Sequence, residues 1–189
     1  GDVYSDPVRS GGGQGHLQVT HSAGMMFFLT DLQPVSVIAL MDNLDVRVDV
    51  VDAMIVRMDN GCLANVGSTG ATMGGEGKLD VQIYCEKGWV DLDIITADGT
   101  IYHADGRVED LAEAGAEADR DQPGGEVPGA GASYPAHLPA VNLTDIILRQ
   151  AENLSPGVHG WRTVELLDAA YRSAARNGEE VSVASLYAD

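Results

Sequence analysis

Two glutamines and a histidine are spaced so that one face of a helix would carry all three side chains. Gln14, Gln18 and His21 stand at i, i+4 and i+7, and residues at these separations share a helix face. The imidazole titrates near neutral pH, so His21 could accept or donate a proton, while the amides could hydrogen-bond the hydroxyl groups of a small molecule. The same row is also typical of the solvated side of a surface helix, so both interpretations stay open.

The helix that would carry this row follows a run of three glycines, Gly11 to Gly13. Glycine lets the backbone pass where a Cβ would not fit. The segment before the run is polar and contains Pro7, whereas a dinucleotide-binding glycine loop follows an apolar strand. The glycines therefore do not predict a phosphate cradle, and we expect this chain alone to bind no cofactor.

Other kinds of catalytic or metal site are disfavoured by spacing. His16 and His21 are five positions apart, which separates their side chains by about 140° around a helix. No H-E-x-x-H, G-x-S-x-G or C-x-x-C pattern occurs, so we expect neither a metal site nor a hydrolase triad. Cys62 and Cys85 are predicted to be buried free thiols, which favours a reducing, cytoplasmic setting.

The composition limits the classes of partner. The chain has 189 residues, 44% of them hydrophobic, which is enough for one domain with a proper core. Its formal net charge of −18 would repel nucleic acid and anionic membranes. No apolar run approaches the ~18 residues that a membrane span needs.

Short segments that alternate between apolar and polar residues dominate the middle of the chain. Strands are predicted at residues 35–40, 44–50, 53–58, 62–66, 79–83, 89–95 and 100–103. Asn60-Gly61 is a strong hairpin signal, Asp98-Gly99 predicts another turn, and residues 67–77 are expected to form a long loop. Because parallel strands would need crossover helices, the short turns predict an antiparallel sheet.

The remaining elements complete an α+β prediction. Residues 104–133 are acidic and rich in glycine and proline, which indicates a surface excursion with a short helix near 109–118; a lid or an oligomer-contact arm is the alternative. Helices are predicted at 140–151 and 161–177, with Gly178 as the left-handed residue beyond the second. A last strand is expected at 181–183. We therefore expect one domain over residues 1–189, an open, mainly antiparallel sheet with helices packed on one face.

Several motifs together resemble the C-terminal domain of the Gfo/Idh/MocA oxidoreductases. They are the glycine run, the histidine eight residues past it, VDVVDAMIVRMDNG at 48–61, STG at 68–70, and SPG with GWRTVELLDAAYRSAARNGEEV at 155–181. The family is made up of NAD(P)-dependent dehydrogenases and reductases that act mostly on sugars and cyclitols. The match to the catalytic histidine falls on His21, but Leu17 stands where the family has an aspartate.

The resemblance implies a function for the chain. His21 would exchange a proton with the substrate hydroxyl, and Gln14, Gln18, Gly12 and Gly13 would bind the sugar or polyol. NAD or NADP would be held by a Rossmann domain, in cis or in trans, that also supplies the Glu-Lys-Pro lysine; this chain has only Lys78 and Lys87. The chain alone is therefore expected to be inactive.

The resemblance also implies a homo-oligomer that packs through the free face of the sheet. The alternative is a stand-alone, non-catalytic binding or scaffold module derived from the same fold. Leu17 favours this alternative, whereas the retained His21 and glycine run favour the enzyme.

Overall fold

The computed structural model describes residues 3–72, 78–94, 98–111 and 138–183. Contacts divide the chain into two compact units, one formed by Gly1–Met73 with Asp145–Asp189 and the other by Gly74–Thr144. Each unit contains one four-stranded antiparallel sheet. The expectation of a single domain over residues 1–189 stays a prediction.

The first unit begins with helical turns that lead into its sheet. A 3₁₀ turn, Val3–Ser5, and the short helix α1, Pro7–Ser10, precede the glycine run; a π-helix, Gly15–Val19, then continues into α2, Thr20–Thr30. The sheet has the order β3-β2-β1-β8. Its strands are β1 (Pro34–Asp42), β2 (Val51–Met58), β3 (Leu63–Thr69) and β8 (Val181–Ser182).

The core of the first unit lies on one face of this sheet. Helix α3, Leu138–Ile147, crosses the division between the units, and α4, Gly157–Ala174, packs on β1 and against α2. The largest fully buried apolar side chains come from α2, β1, β2 and α4: Phe27, Val37, Met54, Val56, Leu166 and Leu167. Alternate residues of β1 and β2 therefore point into the core, and the others form an exposed outer face.

The second unit is a meander of four strands. These are β4 (Asp80–Cys85), β5 (Gly88–Asp93), β6 (Asp98–His103) and β7 (Val108–Asp110), paired in sequence order. Tyr84, Trp89 and Tyr102 lie opposite one another on β4, β5 and β6, and their rings stack at 5.7 and 4.1 Å. The α+β class with open antiparallel sheets and helices on one face is confirmed, with two sheets where the sequence predicted one.

The strand predicted at 44–50 is wrong, and the reason is local. Leu44 takes a left-handed backbone conformation, φ +49°, and its amide donates to the Asp42 carboxylate at 2.7 Å. The amide of Val46 then donates to the Asn43 carbonyl. These bonds turn the chain between β1 and β2, although the alternation of apolar and polar residues favours a strand.

The two turns predicted at Asn60-Gly61 and Asp98-Gly99 differ from the turns that the structure contains. The hairpin at 59–61 is present, but it is a three-residue loop in which Gly61, at φ +88°, donates its amide to Met58; this geometry needs a left-handed glycine only at the third position. Asp98 and Gly99 are not a turn, because they already pair with Asp93 and Leu92 inside the sheet. The pairing of β5 with β6 thus begins earlier than the sequence predicts.

Other predictions meet mixed outcomes. Part of the excursion at 104–133 is the strand β7, while the helix near 109–118 and the rest of the excursion lie mainly outside the described residues. Four apolar residues of the segments predicted as the last two helices are exposed, namely Val141, Ile147, Leu148 and Val164. Cys62 and Cys85 are free thiols, as expected, but they are exposed rather than buried.

Candidate functional site

A buried carboxylate holds the glycine run in place. Asp49, on the segment that leads into β2, is 6% exposed. It accepts hydrogen bonds from the backbone amides of Gly13 at 2.8 Å and Gly15 at 2.7 Å. The carbonyl of Asp49 also accepts from the amide of Gln14 at 2.9 Å. Three consecutive amides therefore converge on one residue, which ties the start of the π-helix to the edge of the sheet.

The close approach of these segments explains why glycines are needed here. A Cβ at Gly13 would lie 2.0 Å from the Asp49 carbonyl oxygen, which is backbone and cannot move aside. A Cβ at Gly12 would meet the Tyr171 hydroxyl at 2.5 Å and one at Gly15 would meet it at 2.8 Å. Neither Gly12 nor Gly13 has a positive φ, so the requirement is for space rather than for backbone freedom.

Tyr171 of α4 also binds the Asp49 carboxylate. Asp49, Tyr171 and the amides of Gly13, Gln14 and Gly15 together form the clamp. Its hydroxyl donates to Asp49 Oδ1 at 2.8 Å, and its ring stacks on that of His16 at 4.8 Å. Burial alone would raise the pKa of the Asp49 carboxyl, but the hydrogen bonds from Gly15, Tyr171 and Gly13 outweigh it and hold that pKa below its usual value. Burial, and then the bond to Asp49, raise the pKa of the Tyr171 hydroxyl. Asp49 is therefore ionised and Tyr171 neutral.

A second acidic side chain, Asp52, follows Asp49 by three residues and lies in β2. It is on the core face of β2 and only 2% exposed. Among the described residues, neither of its carboxyl oxygens has a donor. Burial, then the charge of Asp49, and then the hydrogen bond that only a protonated Asp52 could share with Asp49 raise the pKa of Asp52 to about 7. A strand that otherwise buries methionine and valine thus carries one acid at its end.

The side chain of Gln14 is hydrogen-bonded to strand β3. Its Nε2 donates to Ser68 Oγ at 2.9 Å, and its Oε1 would lie 3.1 Å from a Cβ added at Gly70. Ser68 pairs with Asp52 across the sheet. The glycine run, the 48–61 segment and the STG at 68–70, which are far apart in sequence, are therefore brought to one corner of the first unit.

The predicted row of polar side chains is divided in the structure. Gln14 is half-buried, whereas Gln18 and His21 are exposed and have no hydrogen-bond partner within the described part of the chain. The π-helix at Gly15–Val19 explains the division, because it closes wider turns than an α-helix and so changes the direction of the side chains that follow. His21 lies one residue into α2, and Leu17 is half-buried.

Sequence reasoning missed three residues of the site, Asp49, Asp52 and Tyr171. It placed Asp49 within the strand predicted at 44–50 and Tyr171 within the helix predicted at 161–177. A signal was present, because Asp49 and Asp52 interrupt the otherwise apolar run at 48–56, and acids inside such a run need buried partners.

The site does not fit a dinucleotide. A phosphate-binding glycine loop must offer free backbone amides at the start of a helix, but the amides of Gly13 and Gly15 are already donated to Asp49. Helix α1 precedes the run, where a Rossmann unit has a strand. No cluster of three or more potential metal ligands occurs among the residues described.

Three solved oxidoreductase structures are similar to this chain in fold. An oxidoreductase domain protein from Kribbella flavida matches 97% of the chain with a TM-score of 0.76 at 17% identity. An aldose-aldose oxidoreductase from Caulobacter crescentus, complexed with glycerol, matches 96% with a TM-score of 0.69 at 23% identity. An Agrobacterium radiobacter oxidoreductase in complex with NAD+, L-tartaric acid and magnesium matches 88% with a TM-score of 0.65 at 18% identity. The likeness establishes a shared fold.

The first half of the sequence matches a family model. The matched residues are 1–91, and the model is described as the GFO/IDH/MocA C-terminal domain. The match covers 53%, 52% and 48% of the three solved chains, so this chain spans about half of their length. No curated protein matches the chain significantly. In the described residues, no helix is long and apolar enough to cross a membrane.

Proposed function

We propose that this chain is the substrate-binding and oligomerisation domain of a Gfo/Idh/MocA-type oxidoreductase that acts on a sugar or cyclitol. NAD or NADP would be held by a Rossmann domain outside these 189 residues, in cis or in trans. The family match supports the reaction class. The glycerol and the NAD+ with L-tartaric acid bound by two proteins of the same fold support a polyhydroxylated substrate and a nicotinamide cofactor.

The observation that carries the proposal is the placement of His21. The imidazole is exposed on α2, a few residues after the glycine run, and no described residue forms a hydrogen bond with it. As a general base it would take the proton of a substrate hydroxyl while the carbon that bears this hydroxyl is oxidised, and in the reverse direction it would return the proton. Tyr171 cannot replace it, because the pKa of its hydroxyl is raised and the group is bound to Asp49.

The proposed substrate-binding residues differ in how they could contribute. Gln18 is exposed on the π-helix, so its amide is free to meet a hydroxyl group. Gln14 already donates one N–H to Ser68, which leaves its carbonyl oxygen and its second N–H to offer a ligand. Gly12 and Gly13 are buried, and we propose that they serve the substrate through the shape of the loop.

The outer face of the first sheet supports the proposed oligomer. Ile38 and Ile55 lie opposite one another on β1 and β2, and both are exposed. Leu40 and Leu63 add to the same outward side. A contiguous apolar face of this kind is typical of a protein interface, and a second copy could cover it with the same residues.

One observation favours a second function, a non-catalytic binding or scaffold module. Leu17 occupies the position of the family's aspartate, so the usual carboxylate near the histidine is replaced by an alkyl group. Loss of that partner would remove one hydrogen bond to a polyol or to the imidazole. The two functions differ in whether the longer protein reduces a nicotinamide.

The test is a dehydrogenase assay on the longer protein, or on this chain mixed with a Rossmann partner, against a panel of cyclitols and aldoses with both nicotinamides. Substrate-dependent formation of NADH or NADPH would support the oxidoreductase. Saturable polyol binding without any nicotinamide reduction would instead support the binding module. Calorimetric titration of the chain alone with NADH should show no binding, and a tight site would contradict the separate cofactor domain.

The exposed free thiols support a reducing, cytoplasmic setting.

A further inference from the structure

We infer that Asp49 and Asp52 hold one proton between them, and that this acid–carboxylate pair positions the glycine loop from which the His21 helix begins. Asp49 is thus a positioning residue and Asp52 the proton donor that lets it remain charged inside the protein. Only the link to catalysis rests on the proposed function. The pairing itself rests on the burial of both carboxyl groups and on the donors that reach Asp49 and not Asp52.

The donors around the two groups decide which of them carries the proton. Asp49 accepts from two glycine amides and from the Tyr171 hydroxyl, and such donors stabilise a carboxylate. Asp52 is 2% exposed and receives no donor from the described residues, and a buried carboxylate without donors is costly. A proton on Asp52 removes this cost, because the resulting hydroxyl can donate to Asp49.

The electrostatics of the pair agree with this assignment. Burial and the neighbouring charge raise the pKa of Asp52 to about 7, while the pKa of Asp49 is lowered. Two adjacent carboxyl groups whose environments separate their pKa values in this way share a proton at intermediate pH. The pair therefore carries one negative charge below neutral pH and approaches two above it.

The pair has a structural consequence for the loop. The amides of Gly13 and Gly15 and the amide of Gln14 all bond to Asp49, so the direction in which the chain enters the π-helix depends on that residue. When Asp52 ionises, the two buried charges repel each other, and Asp49 can escape the repulsion only by leaving the amides for water. Alkaline pH should therefore loosen the loop.

The other groups around the pair do not cancel this effect. From α4, the Tyr171 hydroxyl faces Asp49 and stays neutral in this pH range because its pKa is raised. From the π-helix, His16 stacks on the Tyr171 ring. No arginine or lysine forms an ion pair with either carboxyl group in the described ranges. A cation that could neutralise the second charge is thus lacking among the described side chains.

The inference can be tested by NMR on the full chain. The carboxyl carbon of Asp52 should titrate with a midpoint near 7, and exchange protection of the Gly13 and Gly15 amides should fall as pH rises through that midpoint. Asp52→Asn keeps a donor to Asp49 but cannot ionise, so its amide protection should stay constant with pH. Asp49→Asn introduces a donor opposite a donor and should speed exchange of at least one glycine amide about tenfold or more. Asp45→Asn, on the exposed turn, is the charge-matched control.

An Asp52 midpoint near 4, or glycine protection that does not respond to pH in the wild-type chain, would overturn the inference. The titration of Asp52 requires no variant, so a failure of Asp49→Asn to fold leaves the test intact. The catalytic consequence has a separate readout in the longer protein. Asp49→Asn should lower kcat with a smaller change in KM, and Asp52→Asn should remove the decline of kcat above pH 7. If no substrate is ever turned over, the proposed function fails while the NMR result still decides the pairing.

Discussion

Replacing Asp52 by asparagine should stabilise the protein at neutral pH and leave it almost unchanged in mild acid. The wild-type carboxyl is buried, has no described donor and has a pKa of about 7, against 3.8 for an ordinary aspartate. Between these values the unfolded chain releases the Asp52 proton and the folded chain keeps it. The unfolded state then binds fewer protons, so the free energy of unfolding falls as pH rises from about 4 to about 7 and is level above that.

The size of this loss follows from the two pKa values. Since a tenfold change in a proton-binding constant is worth about 1.4 kcal/mol, the fall amounts to about 4 kcal/mol at most. Relaxation of the buried pair and water entry would reduce it, so a gain of about 2 to 4 kcal/mol for Asp52→Asn at pH 8 relative to pH 4 is the expected result. The asparagine amide preserves a donor to Asp49, so the variant should not disturb the clamp.

The assay is urea denaturation of the wild-type chain, Asp52→Asn and Asp45→Asn at several pH values between 4 and 8. Taking the difference from wild type removes the titration of all other carboxyl groups. The Asp45 control removes one negative charge from an exposed turn and should change the stability by less than about 0.5 kcal/mol throughout. A difference for Asp52→Asn that is independent of pH, or that decreases toward pH 8, would refute the reasoning.

Three further predictions concern the clamp and the sheet. Gly13→Ala should prevent the native loop from forming, because its Cβ would lie 2.0 Å from the Asp49 carbonyl oxygen. Gly67→Ala has open space around the added Cβ and should be nearly neutral. Thermal unfolding of both variants checks this, and equal melting temperatures would contradict it. Tyr171→Phe should cost about 1 to 3 kcal/mol of unfolding free energy through the lost bond to Asp49, and an unchanged denaturation midpoint would argue against the clamp. Ile55→Lys should shift the chain toward monomer in analytical ultracentrifugation if the outer sheet face is the oligomer contact, while Val108→Lys on β7 should not, and an unchanged sedimentation coefficient for Ile55→Lys would exclude that face.

Much of the sheet could be predicted because strand alternation and turn residues are local signals. β4 and β5 follow the alternation of their own residues, and β3 follows the hairpin signal of Asn60-Gly61. The strand predicted at 44–50 has the same pattern, yet the Asp42 carboxylate caps a turn there. Alternation alone cannot distinguish a strand from an exposed turn that has its own side-chain acceptor.

The candidate site could be predicted only in part, because its essential contacts join distant segments. The resemblance of the motifs directed attention to the glycine run and His21, and His21 is exposed as a base must be. The contact of Asp49 with Gly13 spans 36 residues and its contact with Tyr171 spans 122. Nothing in the local sequence of Tyr171 marks it as a donor to a buried acid. The π-helix that follows Gln14 has no residue pattern that distinguishes it from an α-helix.

The most direct test of the account is the turnover of His21→Ala in the longer protein, measured with saturating polyol or sugar and nicotinamide. Loss of a general base should lower kcat by about two to four orders of magnitude. His159→Ala, a helix histidine that contacts Phe28, should retain the wild-type rate. A His21→Ala enzyme that turns over as fast as wild type would contradict the assignment of the proton to this imidazole.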